Sequence, residues 1–300
     1  MIGEPSEADL AKDNSAQGAL LFSVIVPVYR DWERLAVCLD ALEDQTLSAD
    51  RFEVIIANND PEGHCPLERL PKNVRSVHQP KPGSYAARNA AVATASGRHL
   101  AFTDSDCVPE RDWLENGLAA LEANPGARVT GAITVFRQPG SSRYAFVYDL
   151  HTAFPQRSYV ASGVCVTANL IVPRSVFDRI GPFDERLSGG DILWNRRAHE
   201  AGTPIVYDDS VRVGHPARRN LGEIFKKRRR TAGSSPIDLP VYRFVLERMK
   251  PPARRFVRLV RKGVPLRDAA MVVAIHWLGR LVEAKEFALV RWGFKNPSRS

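Results

Sequence analysis

The alternation of short apolar segments with amphipathic segments is the feature that most constrains how this chain can fold. Residues 20–28 (LLFSVIVPV) are apolar throughout, which indicates a strand covered on both faces, as in a parallel sheet. Leu35, Leu39 and Leu42 then recur at helical spacing, so a helix with one apolar stripe follows, with Asp31 as its N-cap. A strand is therefore followed directly by a helix that can cover it.

The same alternation continues through residue 125 and predicts the α/β class. Further strands are expected at residues 54–57, 74–77 and 100–103, with an alanine-rich helix over residues 85–95. Such a chain builds a doubly wound, mostly parallel sheet flanked by helices, and ligands bind beyond the carboxyl ends of its strands. After residue 131 the spacing predicts a mixed sheet, with strands at residues 129–136, 165–172 and 204–207 and a helix over residues 192–201.

Charge divides the chain near residue 217. Residues 218–300 carry 21 basic and 6 acidic side chains, whereas residues 1–217 carry 21 basic and 28 acidic ones. We therefore expect a flexible tail over residues 1–18, an α/β domain over residues 19–217 and a basic helical region over residues 218–300. The basic region is expected to bind a polyanion, which could be membrane headgroups, nucleic acid or an anionic glycan.

Composition excludes several classes of protein. With 44% apolar and 25% charged residues, the chain is neither disordered nor collagenous. Its four cysteines form no C-x-x-C pair, which argues against a disulfide framework or a zinc ribbon. The first 18 residues do not resemble a secretion signal, and the apolar residues 269–279 are fewer than the roughly 20 that a membrane-spanning helix needs. A cytoplasmic location is expected.

Two aspartates follow the predicted strand at residues 100–103. Asp104 and Asp106 are separated by Ser105, and in an extended backbone residues two apart point to the same side. Both carboxylates therefore face one cleft, where they could bind a divalent cation. The alternative is a solvated turn without a ligand.

Three segments in register resemble the family 2 glycosyltransferases, which have the GT-A fold. They are SVIVPVYRDWERLAVCLDAL, GSYAARNAAVATASGRHLAFTDSD and IGPFDERLSGGDILWNRRAHEAG, and the resemblance extends from Phe22 to about Arg218. It implies a metal-dependent, inverting enzyme that moves a sugar from a nucleoside-diphosphate-sugar to an acceptor hydroxyl. The implied setting is the assembly of bacterial surface polysaccharide or of a lipid-linked glycan.

The resemblance also implies roles for individual residues. Asp191 matches the catalytic base, although the N-cap of the following helix is an alternative role for it. Asp104 and Asp106 match the ligands of Mn²⁺ or Mg²⁺, and His215, expected just beyond the last strand, matches an additional ligand that favours manganese. The expected donor-binding residues are Pro27, Val28, Tyr29, Asn58, Asn59, Asp60, Gly83, Arg88, Asp104 and Ser105.

The predicted nucleotide-base pocket departs from the family pattern. The family usually has an aspartate where this chain reads Ala57-Asn58-Asn59-Asp60, so Asn58 or Asp60 would take its place. A UDP-sugar is the favoured donor and a GDP-sugar is the second candidate. The acceptor, a glycan or a lipid-linked glycan, is expected to contact residues 140–162, which are predicted to form a loop.

Basic and apolar residues are interleaved in the C-terminal region, notably over residues 226–230 and 254–262. Such amphipathic helices lie among anionic headgroups, so we expect peripheral attachment to the inner face of the plasma membrane; a solvated helical face is the alternative. A sugar nucleotidyltransferase is disfavoured, because its glycine-rich, arginine-containing loop is missing after the first strand. A nucleic-acid-binding protein is disfavoured because no known reader motif is present, and nucleic acid is not an expected partner.

Overall fold

The computed structural model describes residues 20–67, 69–233 and 239–296, so the tail predicted over residues 1–18 lies outside the described residues. The chain divides into two compact units. The first, here called the sheet unit, comprises the chain up to Ile133 together with Gln156–Glu185 and Asp191–Gly214. The second, here called the helical unit, comprises Thr134–Pro155, Arg186–Gly190 and the chain from His215 onward. The domain boundaries expected at residues 18 and 217 stay predictions.

One mixed sheet contains the eight strands that the described residues form. They are β1 (Phe22–Val28), β2 (Phe52–Asn58), β3 (Val74–His78), β4 (His99–Phe102), β5 (Val108–Pro109), β6 (Arg128–Phe136), β7 (Leu170–Pro173) and β8 (Ile205–Pro216). Their order across the sheet is β3-β2-β1-β4-β7-β6-β8-β5. Strands β3, β2, β1 and β4 pair in parallel, whereas β7 is antiparallel to β4 and β6, and β5 is antiparallel to β8. The predicted α/β class with a mixed sheet is confirmed.

The described helices, apart from short 3₁₀ turns, are numbered in chain order. They are α1 (Trp32–Glu43), α2 (Ser84–Thr94), α3 (Trp113–Ala123), α4 (Arg143–Thr152), α5 (Gln156–Val160), α6 (Arg174–Ile180), α7 (Gly190–Glu200), α8 (Leu221–Gly233), α9 (Val241–Met249), α10 (Ala253–Arg261) and α11 (Leu266–Arg291). Every residue of β1 and β2 is buried, as the unbroken apolar runs predicted for strands covered on both faces.

Helix α1 follows β1 as expected and buries Leu35 and Leu42 together with Cys38. Asp31 occupies the N-cap position, but its side chain makes no capping bond. Its carboxylate instead accepts a hydrogen bond from Arg34 Nε at 2.9 Å. The capping role predicted for Asp31 is therefore wrong, because an arginine one turn away competes for the carboxylate.

Three predicted elements differ from the structure. The strand expected at residues 165–172 is a 3₁₀ turn followed by the shorter β7, because buried Asn169 bonds to the carbonyl oxygens of Ala132 and Val211 at the turn. Strand β8 continues through Pro216, so His215 lies on the strand and not beyond it. The loop expected over residues 140–162 contains helices α4 and α5.

An aromatic cluster fixes α7 within the sheet unit. The Trp194 ring of α7 stacks on Phe177 with centroids 5.4 Å apart and also packs against Phe183. Phe183 in turn meets Phe102 of β4 edge to face at 5.3 Å. Trp194 Nε1 donates to the Gly181 carbonyl oxygen at 2.8 Å, so its one polar atom is satisfied. Trp194 therefore belongs to the core, and it ties the helix that carries Asp191 to the central strand β4.

Helices α4, α8, α10 and α11 of the helical unit share an apolar cluster. Helix α11 is its longest element, with 26 residues. The Phe244 ring of α9 stacks on Phe287 of α11 with centroids 4.0 Å apart. None of the helices in the described ranges is both long and apolar enough to cross a bilayer.

Candidate active site

The carboxyl ends of β1, β2 and β4 lie at one edge of the sheet, because these three strands are parallel neighbours. Pro27 and Val28 end β1, Asn58 ends β2, and Asp104 follows β4 by two residues. The structure thus brings residues from three separate predicted motifs to the same edge. This edge is where an open α/β sheet binds its ligands.

Asp104 and Asp106 are the paired carboxylates of this edge. Arg88, whose side chain is only 4% exposed, donates from Nη2 to Asp104 Oδ1. Arg34 Nη1 lies 3.4 Å from Asp106 Oδ2, a neighbour that the sequence analysis did not identify. The Asp104 and Asp106 side chains are 34% and 24% exposed, so both reach solvent while a buried guanidinium stands behind the first.

This donor set fits a divalent cation. Carboxylate oxygens are the ligands that Mg²⁺ and Mn²⁺ prefer, and Asp104 and Asp106 offer them at a solvent-accessible position. His215 belongs to the helical unit, where its Nδ1 donates to the Pro216 carbonyl oxygen at 2.7 Å and its ring packs on Phe154. Its role as a metal ligand stays a prediction.

Asp191 is 8% exposed and lies in the first turn of α7. Because α7 begins at Gly190, the alternative role of Asp191 as the N-cap is wrong. Asp191 Oδ1 accepts hydrogen bonds from the Tyr85 hydroxyl at 2.7 Å and from the Ile192 N–H at 2.9 Å. Burial and then the Asp191 charge raise the pKa of Tyr85, so its hydroxyl keeps its proton and acts as the donor.

Helix α2 connects the two acidic centres. Tyr85 and Arg88 lie one turn apart on α2, and the Arg88 Cζ is 5.4 Å from the centre of the Tyr85 ring. One of these side chains binds Asp191 and the other binds Asp104. Arg88 was predicted and Tyr85 was not. The sequence contained a signal for Tyr85: it stands three residues before Arg88 at the start of a helix, and this spacing places both side chains on the same helix face.

Asn59 organises the loop that leads into α2. Its Nδ2 donates to the carbonyl oxygens of Gln79 and Lys81, both at 2.7 Å, and its Oδ1 accepts from the Gly83 N–H at 2.8 Å. Gly83 has φ of +128°, a backbone conformation that favours glycine. Gly83 therefore fixes the turn into α2 rather than only permitting a ligand to approach.

The neighbouring Asn58 and Asp60 have local partners as well. Asn58 Nδ2 donates to the His64 carbonyl oxygen and Asn58 Oδ1 accepts from the Asp60 N–H, each at 3.0 Å. Asp60 Oδ2 accepts from Arg30 Nε at 2.6 Å, and this hydrogen bond lowers the pKa of Asp60. Arg30, which was not predicted, has φ of +56° beside the exposed Tyr29 ring.

Two buried thiols lie near the paired carboxylates. Burial raises the pKa of Cys38 and of Cys107, and the negative charges of Asp104 and Asp106 raise both further. The third buried thiol, Cys165, has its pKa raised to about 12, again mainly by burial. All three thiols are therefore protonated near neutral pH and are poor nucleophiles.

Comparisons with known proteins show what this chain is similar to. The family model described as Glycosyl transferase family 2 matches residues 23–181. Glycosyltransferase AglE of Haloferax volcanii is 34% identical over 213 residues, which cover 68% of this chain and 69% of AglE. Succinoglycan biosynthesis protein ExoM of Rhizobium meliloti is 28% identical over 197 residues, which cover 62% of this chain and 64% of ExoM.

Solved structures give the same fold. The structure of residues 1–349 of S. aureus TarS in complex with UDP-GlcNAc matches with a TM-score of 0.51 and 15% identity. The match covers 92% of this chain and 91% of that one. A longer S. aureus TarS structure matches with the same TM-score of 0.51. That match covers 55% of the TarS chain, so this chain spans about half of its length.

The burial of the thiols predicts how the folded protein reacts with iodoacetamide. At about pH 8, Cys65 should be alkylated first, because it is half-buried while Cys38, Cys107 and Cys165 are buried with raised pKa values. Peptide mass spectrometry of the labelled protein measures this, and labelling in guanidinium chloride, where all four should react, is the control. Equal labelling of Cys107 and Cys65 in the native state would contradict the description of the site.

Proposed function

Because the chain belongs to glycosyl transferase family 2, we propose that it transfers a sugar from a nucleoside-diphosphate-sugar to an acceptor hydroxyl, with inversion at the anomeric carbon. The observation that carries the proposal is the pair of bonds from α2, through which Arg88 and Tyr85 bind Asp104 and Asp191. The TarS structure contains UDP-GlcNAc, which supports a UDP-sugar as donor. A GDP-sugar is the second candidate.

The donor would bind at the carboxyl ends of β1, β2 and β4. We assign its binding to Pro27, Val28, Tyr29, Asn58, Asn59, Asp60, Gly83, Arg88, Asp104 and Ser105. Asn58 or Asp60 would recognise the base, and both polar atoms of each side chain also have local partners. Asn59 and Gly83 act by positioning the loop before α2.

Asp104, Asp106 and His215 would hold Mn²⁺ or Mg²⁺. When bound, the cation supplies Lewis-acid stabilisation of the negative charge that develops on the departing diphosphate. The buried Arg88 keeps the Asp104 carboxylate in place and offsets part of the negative charge of the two aspartates. Arg88 would therefore hold the Asp104 carboxylate in the same orientation before and after the donor binds.

Asp191 would accept the proton of the acceptor hydroxyl as its oxygen attacks the anomeric carbon. The new bond to the acceptor oxygen forms while the bond to the diphosphate oxygen breaks on the opposite face of the sugar, which inverts the configuration. The Tyr85 hydroxyl and the Ile192 N–H both bind Asp191 Oδ1, so they orient the carboxylate. Tyr85 is a positioning residue in this scheme.

The acceptor is proposed to be a glycan or a lipid-linked glycan of a polysaccharide pathway. The names of AglE, as a glycosyltransferase, and of ExoM, as a succinoglycan biosynthesis protein, support this class. The basic residues of α8 and α10, with the exposed Tyr242, Leu246 and Met249 on one face of α9, suit attachment to the inner face of an anionic membrane. A lipid-linked acceptor would be presented at that surface.

Replacing the proposed base should stop sugar transfer without weakening the binding of the donor. We expect Asp191→Asn to lower kcat by about 10²–10⁴-fold, because an amide cannot accept the hydroxyl proton. The Kd of the donor, measured by isothermal titration calorimetry, should not change. Asp178→Asn, at an exposed aspartate of α6, is the control and should keep full activity. Normal turnover by Asp191→Asn would refute the assignment.

Donor binding should require the cation. A UDP-sugar at about 100 times its Kd stabilises the folded state by about 2.7 kcal/mol, so the thermal midpoint should rise in the presence of Mn²⁺ and much less in EDTA. The variant Asp106→Asn should lose the manganese-dependent part, whereas Asp44→Asn, at an exposed position, should retain it. An equal shift in EDTA and in Mn²⁺ would exclude the proposed metal dependence, and no shift with any nucleotide-sugar would exclude the proposed donor class.

Removing the Tyr85 hydroxyl should affect the chemical step selectively. We expect Tyr85→Phe to lower kcat by about tenfold, since a hydrogen bond to a charged group contributes about 1.5–3 kcal/mol. The KM of the donor should stay unchanged, because Tyr85 contacts the proposed base and not the paired carboxylates. The exposed Tyr144→Phe serves as the control. A rise in donor KM with unchanged kcat would show that Tyr85 acts on the donor instead.

A further inference from the structure

Four arginines converge in the helical unit, one from each of the helices α8–α11. They surround the half-buried His276 of α11. The pKa of His276 is lowered to about 3, by burial first and then by the positive charges of Arg255, Arg228, Arg280 and Arg248 in that order. The imidazole is therefore neutral, and the four guanidinium groups are close enough to act on it together.

Few acidic groups oppose these four charges. Glu283 accepts from Arg228 Nη1, and its Oε2 lies 3.0 Å from Arg248 Nε. Glu247 lies near Arg280, but it is exposed and its carboxylate pairs with Lys250. The half-buried Glu283 thus pairs with two of the four guanidinium groups.

Arg255 is the arginine without a counter-charge. Within the described part of the chain it forms no ion pair and no hydrogen bond through its side chain. It is half-buried, and burial followed by the charges of neighbouring arginines lowers its pKa. Placing a cation where water is scarce and other cations are near is unfavourable unless an anion compensates.

The surrounding structure holds the guanidinium groups in place. Arg228 Nη2 lies 2.9 Å from His276 Nδ1 and donates to the Tyr148 hydroxyl. A Cβ atom at Gly279 would come within 3.1 Å of Arg228 Nε, so the glycine leaves room for the arginine. The Nε–H of Arg280 is buried without a hydrogen-bond partner among the described residues, whereas Arg248 Nε faces Glu283. The cluster is therefore fixed and still has unused donors.

We propose that Arg228, Arg248, Arg255 and Arg280 form a binding site for a phosphate dianion, either a phosphomonoester or a pyrophosphate group. Guanidinium groups bind phosphate oxygens in a bidentate manner, and four of them in a partly buried position match a multiply charged phosphate better than a single carboxylate. The phosphate could belong to a lipid headgroup or to a water-soluble compound. The four arginines belong to the helical unit, and the paired carboxylates belong to the sheet unit.

Calorimetric titration with inorganic pyrophosphate tests the site. The full chain is titrated at low ionic strength in EDTA, which removes divalent cations from the carboxylates of the sheet unit. We expect binding to the wild type and a loss of at least about tenfold in affinity for Arg255→Gln, because truncating a buried charged contact weakens binding by that much or more. Arg254→Gln, an exposed neighbour on α10 with the same change of charge, should bind as the wild type does.

The outcomes separate a site from general charge attraction. Equal losses in Arg255→Gln and Arg254→Gln, or no binding to the wild type, would overturn the proposal. Thermal unfolding without anion separates binding from folding: Arg255→Gln should unfold at the same or a higher temperature, because an uncompensated charge is removed. If Arg255→Gln instead unfolds at a lower temperature, the titration is repeated below the onset of its unfolding. Wild-type affinity in the folded variant then overturns the site, and a loss confined to Arg255→Gln supports it.

Vesicle flotation then distinguishes the sources of the phosphate. Phosphatidylcholine vesicles are prepared with phosphatidic acid, which has a phosphomonoester, or with phosphatidylglycerol at equal surface charge. A preference for phosphatidic acid that Arg255→Gln abolishes supports the site with a lipid headgroup as ligand. Pyrophosphate binding without that preference supports the site with a water-soluble phosphate as ligand.

Discussion

The arrangement of the candidate site depends on α2, because two side chains one turn apart on this helix bind carboxylates that are distant in sequence. Arg88 binds Asp104 after β4, and Tyr85 binds Asp191 in α7. A shift of α2 would displace both partners at once. Asn59 restrains α2 because its side chain forms three hydrogen bonds to the loop that precedes the helix.

The small residues of α2 explain how it reaches both carboxylates. Ala86, Ala87 and Ala91 are buried and present only a methyl group to the sheet, so the helix backbone can approach β1 and β2 closely. The larger Tyr85 and Arg88 are then carried to the edge where the strands end. The buried alanines thus set the position of α2 against the sheet, and Tyr85 and Arg88 bind the two carboxylates from that position.

Strands β1, β2 and β4 could be predicted from the sequence because each contains an apolar run, and the paired aspartates because they directly follow β4. The roles of Tyr85 and Arg34 could not, since their partners lie 106 and 72 residues away and no local pattern records such a contact. The extension of β8 had a signal, because buried Val211 and Val213 alternate with exposed Arg212.

The two units differ in how they neutralise arginine, and this difference bears on where ligands bind. In the sheet unit the buried Arg88 has Asp104 as its counter-charge, so the pair is stable before any ligand arrives. In the helical unit Arg255 has no acidic partner within the described chain. Acidic residues are scarce there, because residues 218–300 contain 21 basic and only 6 acidic side chains. The charge excess alone indicates attraction to anions in general. The four guanidinium groups near His276 give this attraction one location. A single anion bound there would neutralise the repulsion between the guanidinium groups, which the fold otherwise retains.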